Sequence, residues 1–138
     1  MISDQLSSGA DQPYWAGLLE GRVQLPRCVG CGKWHWPAVW RCGECGSLEH
    51  VWHEVALEGK IYTWTRTWHY FEGTEAFDLP FVSVIVELPE AGGIRLIGTM
   101  QSSDNDVSIG MPVTGSIRRI SAEGREIPAL VWSLEEAS

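Results

Sequence analysis

Residues 28–46 read CVGCGKWHWPAVWRCGECG, and this stretch decides how the N-terminal part of the chain folds. It holds all four cysteines, as Cys28-Val29-Gly30-Cys31-Gly32 and, after ten intervening residues from Cys31, Cys42-Gly43-Glu44-Cys45-Gly46. Two thiolates separated by two residues can bind one metal ion from a tight turn, and the following glycine leaves room for backbone amides to point at sulfur. The two knuckles predict a tetrahedral site in which Cys28, Cys31, Cys42 and Cys45 bind zinc.

Four cysteines are also compatible with other chemistries. A pair of disulfides is typical of secreted proteins, and the N-terminal residues do not resemble a signal peptide. A thioredoxin-like redox pair uses one Cys-x-x-Cys motif in a strand and helix context, whereas two motifs are present here. Iron in a rubredoxin-like site stays open, because iron also binds four thiolates. Structural zinc is the interpretation that the paired knuckles favour.

The closed ligand set predicts that the metal stabilises the fold and does no catalysis. Four protein ligands leave no coordination position for water. The stretch from Arg22 to Glu54 is too short to form a core unaided, and zinc binding is worth about 10–16 kcal/mol in small zinc peptides. Four thiolates and a divalent ion leave a charge of −2 at the site, which takes the chain from −8 to about −10.

Composition argues against two classes of protein. The 138 residues carry 10 Lys+Arg against 18 Asp+Glu, and the cations are scattered along the chain. Nucleic-acid affinity depends on clustered cations, so such binding is disfavoured. No run approaches the roughly 18 consecutive apolar residues of a membrane helix. We expect one domain or two small ones, in the cytosol, with neither nucleic acid nor membrane as partner.

The N-terminal residues predict a lead followed by a short helix. Residues 1–10, rich in Ser, Asp, Gln and Gly, are expected to be disordered. Asp11 can cap a helix with Pro13 in its first turn and Gly21 at its far end. One apolar face would be formed by Tyr14, Trp15, Leu18 and Leu19. This face would either cover the protein's own core or dock a partner.

After the cysteines the pattern alternates with period two and is rich in β-forming residues. Strands are predicted at residues 57–71, 80–88, 94–100, 111–120 and 127–134. Five strands with a long, bent first strand suit a small closed barrel of the OB type. The sequence thus predicts a mainly β protein: an N-terminal lead and helix over residues 1–21, a four-cysteine zinc ribbon over 22–56 and a five-stranded OB-fold barrel over 57–138.

The first barrel strand carries an unusual set of aromatic residues. Alternation places on one face Tyr62, Trp64, Arg66, Trp68 and Tyr70. These side chains would either pack inside the protein, stack on the bases of single-stranded nucleic acid, or contact a partner or a coenzyme. We therefore take Trp64, Arg66, Trp68 and Tyr70 as candidates for contact with a partner or a coenzyme.

Further residues give weaker signals. Trp34, Trp36 and Trp40 lie between the knuckles, where they would either shield the metal or form an interface. Residues 104–106 (Asp-Asn-Asp) lack the alternating ligands and downstream glutamate of a calcium loop. The four histidines have no partner at metal or nucleophile spacing, and the sequence contains no nucleophile elbow, phosphate loop or dinucleotide fingerprint. We predict no catalytic residues.

The order of several short motifs is similar to that of a known family. The motifs are Tyr14-Trp15-x-Gly17-Leu18, the four cysteines with Trp36-Pro37 between the knuckles, Trp52, Gly59-x-Ile61-Tyr62, Leu79-Pro80-Phe81, Val86-Glu87-Leu88 and Ile109-Gly110-Met111-Pro112-Val113. Over about residues 13–132 this order resembles the domain of unknown function 35 family. Its members combine a rubredoxin-like zinc ribbon with an acyl-CoA-associated OB-fold.

The resemblance implies an accessory, non-catalytic subunit of a thiolase-like enzyme that acts on acyl-CoA thioesters, such as a steroid side-chain aldolase. The partner would carry the catalytic group, while this chain stabilises it and shapes the channel for the CoA thioester in a hetero-oligomer. The metal-ligand roles carry over to the four cysteines, although Gly43 stands where the family commonly has proline. Partners of relatives also include thiolases and acyltransferases. The rival interpretations are an OB module that binds single-stranded nucleic acid through Trp64 and Trp68, and a small iron electron carrier.

Overall fold

The computed structural model describes residues 8–72, 74–101 and 106–134. Most of the predicted lead and of the Asp-Asn-Asp loop therefore lies outside the described residues. The described chain divides into two compact units. The ribbon unit contains residues 8–56 and 89–94, and the barrel unit contains, of the described residues, 57–72, 74–88, 95–101 and 106–134.

The ribbon unit begins with helix α1, Gln12–Leu19. Its apolar face covers the unit's own core: Tyr14 and Leu18 are buried, and the Tyr14 ring lies 4.4 Å from that of Trp36. Asp11 occupies the N-cap position, but its carboxylate accepts a hydrogen bond from the indole N–H of Trp15 at 3.1 Å and caps no backbone N–H. Asp11 is thus at the predicted N-cap position, but its side chain does not form the predicted capping hydrogen bond.

Two short strands that the sequence did not predict complete the ribbon unit. Strand β1, Gln24–Cys28, pairs antiparallel with β2, His50–Glu54, so that Cys28 lies opposite His50. Five-residue strands on either side of a metal-binding loop carry too little alternation to be recognised. The buried residues of this unit are Tyr14, Gly17, Leu18, Val23, Leu25, Pro26, Cys28, Cys42 and Ala91.

The barrel unit is a closed five-stranded barrel with strand order β3-β4-β5-β7-β6. Its strands are β3 Glu58–Thr67, β4 Phe81–Leu88, β5 Ile94–Met100, β6 Pro112–Ala122 and β7 Arg125–Leu134. The 3-10 turn Pro89–Ala91 follows β4. Strand β3 pairs antiparallel with β4 and β6, and β6 pairs antiparallel with β7. Strands β5 and β7 pair parallel. This topology confirms the predicted OB-fold.

Two strand ends differ from the prediction. Strand β3 ends at Thr67, so the aromatic residues from Trp68 onward follow the strand. Strands β6 and β7 pair as far as Ala122 and Arg125, and a two-residue turn of Glu123 and Gly124, both with positive φ, joins them. Such turns match the twist of a hairpin, but the dipeptide Glu-Gly is a weaker signal than Asn-Gly or Asp-Gly.

The barrel core is centred on Trp132, whose side chain is fully buried. Glycines leave room for it on two strands: a Cβ on Gly98 would lie 2.7 Å from the indole Cδ1 and Nε1, and one on Gly115 would lie 2.9 Å from Cζ3. The ring therefore occupies space that any larger residue at these two positions would take. No helix in the described part of the chain has the length and apolar character needed to cross a membrane.

Candidate metal centre and interaction surfaces

The four predicted ligands meet at one point of the ribbon unit. The Sγ atoms of Cys28 and Cys45 are 3.5 Å apart, those of Cys31 and Cys42 are 3.6 Å apart, and all four lie within 4.8 Å of one another. A tetrahedral zinc ion with sulfurs at about 2.3 Å spaces them about 3.8 Å apart. The sulfurs therefore fit zinc with shifts of about 1 Å or less. Among the described residues no other cluster of three or more potential ligands is found.

Both knuckles have the same backbone geometry. In the first, the N–H of Gly32 donates to the carbonyl of Cys28 at 2.9 Å; in the second, the N–H of Gly46 donates to that of Cys42 at 2.9 Å. Gly32 and Gly46 both have φ of +80°, in the left-handed region that side chains other than glycine adopt at a cost. The glycine after each second cysteine is thus required by the turn itself.

An arginine precedes the first cysteine of each knuckle, and sequence reasoning did not identify its role. The Nε of Arg27 donates to the carbonyl oxygen of Gly32 at 2.8 Å. In the second knuckle, the Nη2 of Arg41 lies 3.3 Å from the position that a Cβ on Gly46 would occupy. Each arginine therefore folds over the turn that follows it.

The knuckles are also linked by charge. The ammonium of Lys33 pairs with the carboxylate of Glu44 at 3.0 Å, and this contact raises the pKa of Lys33 and lowers that of Glu44. Both side chains are exposed, so the pair contributes little to stability. With Arg27 and Arg41, Lys33 gives three cations around a site that would carry −2 when zinc is bound.

Backbone amides prepare two sulfurs for a cation. The pKa of Cys28 falls to about 6, chiefly because the backbone N–H of Cys31 donates to its sulfur. The pKa of Cys42 falls to about 7, chiefly through the N–H of Cys45. The pKa of Cys45, in contrast, is raised to about 12. The N–H of Ser47 lowers this pKa, but the adjacent Cys28 sulfur and burial raise it by more. A divalent ion among the sulfurs would displace the remaining protons, because metal binding requires thiolates.

The three tryptophans between the knuckles have different environments. Trp34 packs against the His53 ring at 5.5 Å and beneath the Arg27 guanidinium at 5.4 Å, while Trp36 packs against Tyr14. Trp40, in contrast, is 70% exposed. Trp34 and Trp36 thus belong to the packing of the ribbon unit, and Trp40 is available for an interface.

Trp40 lies in an open groove of about 490 Å³ on the ribbon unit, which we call the ribbon groove. The groove is lined mainly by apolar side chains, including Val39, Leu48 and Trp52, and Leu48 is 73% exposed. His50 also lines it, and its buried Nε2 has no hydrogen-bond partner among the described residues. Exposed apolar side chains around a groove are typical of a protein-binding surface.

The predicted aromatic face of β3 is divided by a β-bulge. The register with β4 shifts between Ile61 and Thr63, which makes Tyr62 the extra residue. A one-residue shift moves all later side chains to the opposite face. Tyr62 therefore lies on the outer face of the barrel, where the Arg95 guanidinium is 3.7 Å from its ring centroid.

The next two candidates lie on the core side of the sheet. Trp64 is paired with Val84 and Arg66 with Val82, and both valines are fully buried. Paired residues share a face, so Trp64 and Arg66, both half-buried, face the barrel core. The Arg66 guanidinium lies 5.1 Å from the Trp64 ring centroid. Trp64 and Trp68 therefore do not form the continuous stacking face expected from simple alternation.

Trp68 and Tyr70 lie in the loop between β3 and β4, residues 68–80, which we call the aromatic loop. Trp68 is 63% exposed and Tyr70 is 56% exposed. Phe71 and Leu79 in the same loop are also exposed. The loop therefore presents apolar side chains that packing within the described chain does not cover.

These features define a class of protein: a four-cysteine ribbon suited to structural zinc, joined to an OB-fold barrel, with apolar side chains exposed on both units. Family models agree with both parts. Residues 15–51 match the rubredoxin-like zinc ribbon domain of ChsH2, and residues 52–118 match the C-terminal OB-fold domain of ChsH2. The chain belongs to the domain of unknown function 35 (DUF35) family, as the sequence predicted.

Individual relatives agree. A DUF35 domain-containing scaffold protein from Methanocaldococcus jannaschii is 33% identical over 101 residues, which are 71% of this chain and 69% of that protein. A probable enoyl-CoA hydratase alpha subunit from Thermomonospora curvata is 31% identical over 105 residues, which are 75% of this chain but only 32% of that protein. This chain thus spans about a third of the hydratase subunit.

A solved structure described as the Ltp2-ChsH2(DUF35) aldolase is similar over most of its length. The match has a TM-score of 0.78 and 26% identity, and it covers 93% of this chain and 96% of that one. Helix, ribbon and barrel are therefore shared with a chain whose description places it in an aldolase.

Proposed function

We propose that this chain is an accessory, non-catalytic subunit that binds and stabilises a thiolase-like partner acting on acyl-CoA thioesters. The reaction of the complex is cleavage of a carbon–carbon bond, by retro-aldol chemistry or thiolysis. The observation that carries the proposal is the match to the DUF35 chain of an aldolase over 93% of this chain. The complex is a cytoplasmic hetero-oligomer.

The chemistry of the chain supports an accessory role. Its one cluster of potential metal ligands, among the described residues, is a set of four cysteines that leaves zinc no open position. The structure exposes apolar side chains on both units, at Trp40 and Leu48 in the ribbon groove and at Trp68 and Tyr70 in the aromatic loop. Surfaces of this kind are typical of protein interfaces.

The names of two relatives favour different reactions. One belongs to an aldolase and the other is a probable enoyl-CoA hydratase alpha subunit. An enoyl-CoA is itself an acyl-CoA thioester, so the substrate class is common to the proposal and to this second candidate. A subunit of a hydratase complex is therefore the alternative that the sequence comparison favours, and an acyltransferase complex is a further variant of the same role.

The four aromatic-strand candidates divide into two roles in this proposal. Trp68 and Tyr70 contact the partner directly, because they are exposed. Trp64 and Arg66 are half-buried and face the barrel core, so they shape the surface that the partner or the CoA thioester meets. The acidic chain, at −8 before zinc, leaves the phosphates of CoA to cations of the partner.

The proposal is tested by co-expressing the full chain with thiolase-like proteins encoded beside it and measuring co-purification. The complex is then assayed with three thioester classes: 3-hydroxyacyl-CoA for retro-aldol cleavage, 3-oxoacyl-CoA with CoA for thiolysis, and enoyl-CoA for hydration. We expect turnover by the complex and none by this chain alone. Turnover by the isolated chain, or the absence of any co-purifying thiolase-like protein, would contradict the proposal.

Matched variants locate the contact. The double variant Trp68→Ala, Tyr70→Ala should reduce co-purification. The control Ile97→Ala removes an equally exposed apolar residue from β5, outside the aromatic loop, and should leave co-purification unchanged.

A titration with single-stranded oligonucleotides at modest and high salt tests the nucleic-acid interpretation. Steeply salt-dependent quenching of tryptophan fluorescence would support that rival.

A further inference from the structure

The barrel unit contains a cavity that no sequence pattern predicts. It has a volume of about 150 Å³ and lies between the aromatic loop and strands β4 to β7. Its buried wall includes Phe81, Met100 and Val131, and the Phe77 ring packs against Phe81 at 5.4 Å. The floor of the cavity is thus apolar and formed mainly by strands of the closed barrel, while Asp78, Thr99, Gln101 and Arg118 make the rest of the lining polar.

The size of the cavity fits a single apolar group. An apolar cavity of about 150 Å³ is large enough to hold a molecule of the size of benzene. This corresponds to one leucine, isoleucine, methionine or phenylalanine side chain. A free ligand of so few atoms gains little affinity, because binding energy is limited per atom and the loss of translational freedom must be offset.

The mouth of the cavity carries groups that complement a peptide backbone. The exposed lining residues include Ala76, Asp78 and Arg118. The Arg118 guanidinium donates from Nη2 to the side-chain oxygen of Gln101 at 3.2 Å, which uses one of its five N–H donors. Arg118 thus offers donors to a peptide carbonyl, and the carboxylate of Asp78 offers acceptors to a peptide N–H.

The surroundings of the cavity point to a protein as occupant. Ala76, Phe77 and Asp78 belong to the aromatic loop, which also exposes Trp68 and Tyr70. A pocket with an apolar floor beside exposed aromatic residues is an arrangement found at energetic centres of protein interfaces, where one inserted side chain contributes much of the affinity.

We infer that the barrel cavity receives one apolar side chain, of leucine to phenylalanine size, from a projecting segment of the partner subunit, with Arg118 and Asp78 binding the peptide groups beside it. This inference rests on the proposed function and specifies where the partner is anchored. It makes the aromatic loop and the cavity parts of one contact surface.

The test uses the co-expressed complex and a variant that blocks the mouth. Ala76→Trp should weaken partner binding by about 10- to 30-fold, the effect of losing an anchoring side chain. Ala76→Ser leaves the mouth open and should change affinity less than about twofold. Thr99→Leu fills the cavity from strand β5 and provides a second, independent variant with the same expected loss. Zinc content and thermal unfolding of each variant establish that it is folded.

A chemical probe identifies the inserted residue. Photo-methionine in place of Met100 should form a crosslink to the partner on irradiation. Mass spectrometry should locate the crosslinked residue of the partner, which we expect to be an apolar residue in a projecting segment. Met100→Leu should lose this crosslink. Wild-type affinity in both folded filling variants would overturn the inference and leave the proposed function intact. Failure of the wild-type chain to bind any thiolase-like protein would overturn both.

Discussion

Replacing Gly98 by alanine should destabilise the barrel unit, because its Cβ would have to share space with the buried Trp132. The added carbon would lie 2.7 Å from the indole Cδ1, 2.7 Å from Nε1 and 2.7 Å from the carbonyl oxygen of Leu130. Non-bonded heavy atoms prefer separations of about 3.5–4.0 Å. The overlap is therefore about 1 Å with three atoms at once.

The surrounding structure leaves little room for relief. Trp132 is fully buried, and Gly115 allows the opposite part of the ring to approach so closely that a Cβ there would lie 2.9 Å from Cζ3. Overpacking costs about 1–3 kcal/mol, and this site belongs at the upper end. Replacing a glycine by alanine also lowers the conformational entropy of the unfolded chain. This effect favours the folded state by about 0.4–1 kcal/mol. We expect a net loss of about 2 kcal/mol, or roughly 8–16 °C in Tm for a unit of this size.

The measurement is denaturant and thermal unfolding of the zinc-bound protein, followed by tryptophan fluorescence and circular dichroism. Gly43→Ala is the matched control, because a Cβ at that position meets nothing within 4 Å and its φ is not in the left-handed region. It should change stability by less than about 0.5 kcal/mol.

A double-mutant cycle decides whether the indole is the cause. In a Trp132→Val background Cδ1 and Nε1 are absent, so Gly98→Ala should cost less than half of its effect in the wild type, with the Leu130 carbonyl accounting for the remainder. If Gly98→Ala is as stable as the wild type, or if the two changes simply add, contact with the Trp132 ring is not what excludes a side chain at position 98.

Four further outcomes are expected. Cys42→Ser should lose zinc to a mild chelator, whereas the wild type should keep one ion per chain under the same conditions. Metal analysis by mass spectrometry measures this difference, and iron in the purified wild type would contradict the zinc assignment. Gly32→Ala and Gly46→Ala should each destabilise the ribbon unit by about 1–2 kcal/mol, because both glycines have φ of +80°, and equal stability in chelator competition would count against the turn geometry. Arg95→Ala should cost less than about 1 kcal/mol in urea unfolding, since its ring contact and ion pair are exposed, and a larger loss would indicate a buried role. Trp68→Ala should leave the Tm within about 2 °C while reducing partner affinity about tenfold; a large drop in Tm would show that the ring is part of the core.

Much of the fold was predictable because it depends on local patterns. The spacing of the two Cys-x-x-Cys-Gly knuckles predicts the cluster of four cysteines, and the period-two alternation located all five barrel strands. The helix was also correctly placed, since Tyr14 and Leu18 recur at the spacing of one helical face. The role of that face was left open between core and partner, and the structure assigns it to the core.

Other features depend on interactions between distant residues. The bulge at Tyr62 is defined by the pairing of β3 with β4, and it moves Trp64 and Arg66 to the core side. The two ribbon strands exist because β1 and β2, more than 20 positions apart in sequence, pair with each other. The folding of Arg27 over Gly32 likewise follows from the shape of the turn and has no signature in the sequence.

The sequence by itself determined the four-cysteine cluster, the family and the order of ribbon and barrel, because each is set by residue type and spacing along the chain. Only the tertiary structure decided which aromatic residues are exposed. Trp34, Trp36 and Trp40 lie within seven residues, yet Trp40 alone is 70% exposed, because burial depends on which surfaces the fold brings against each ring. The cavity beside Arg118 arises in the same way, from side chains of four strands and a loop that meet only when the barrel closes.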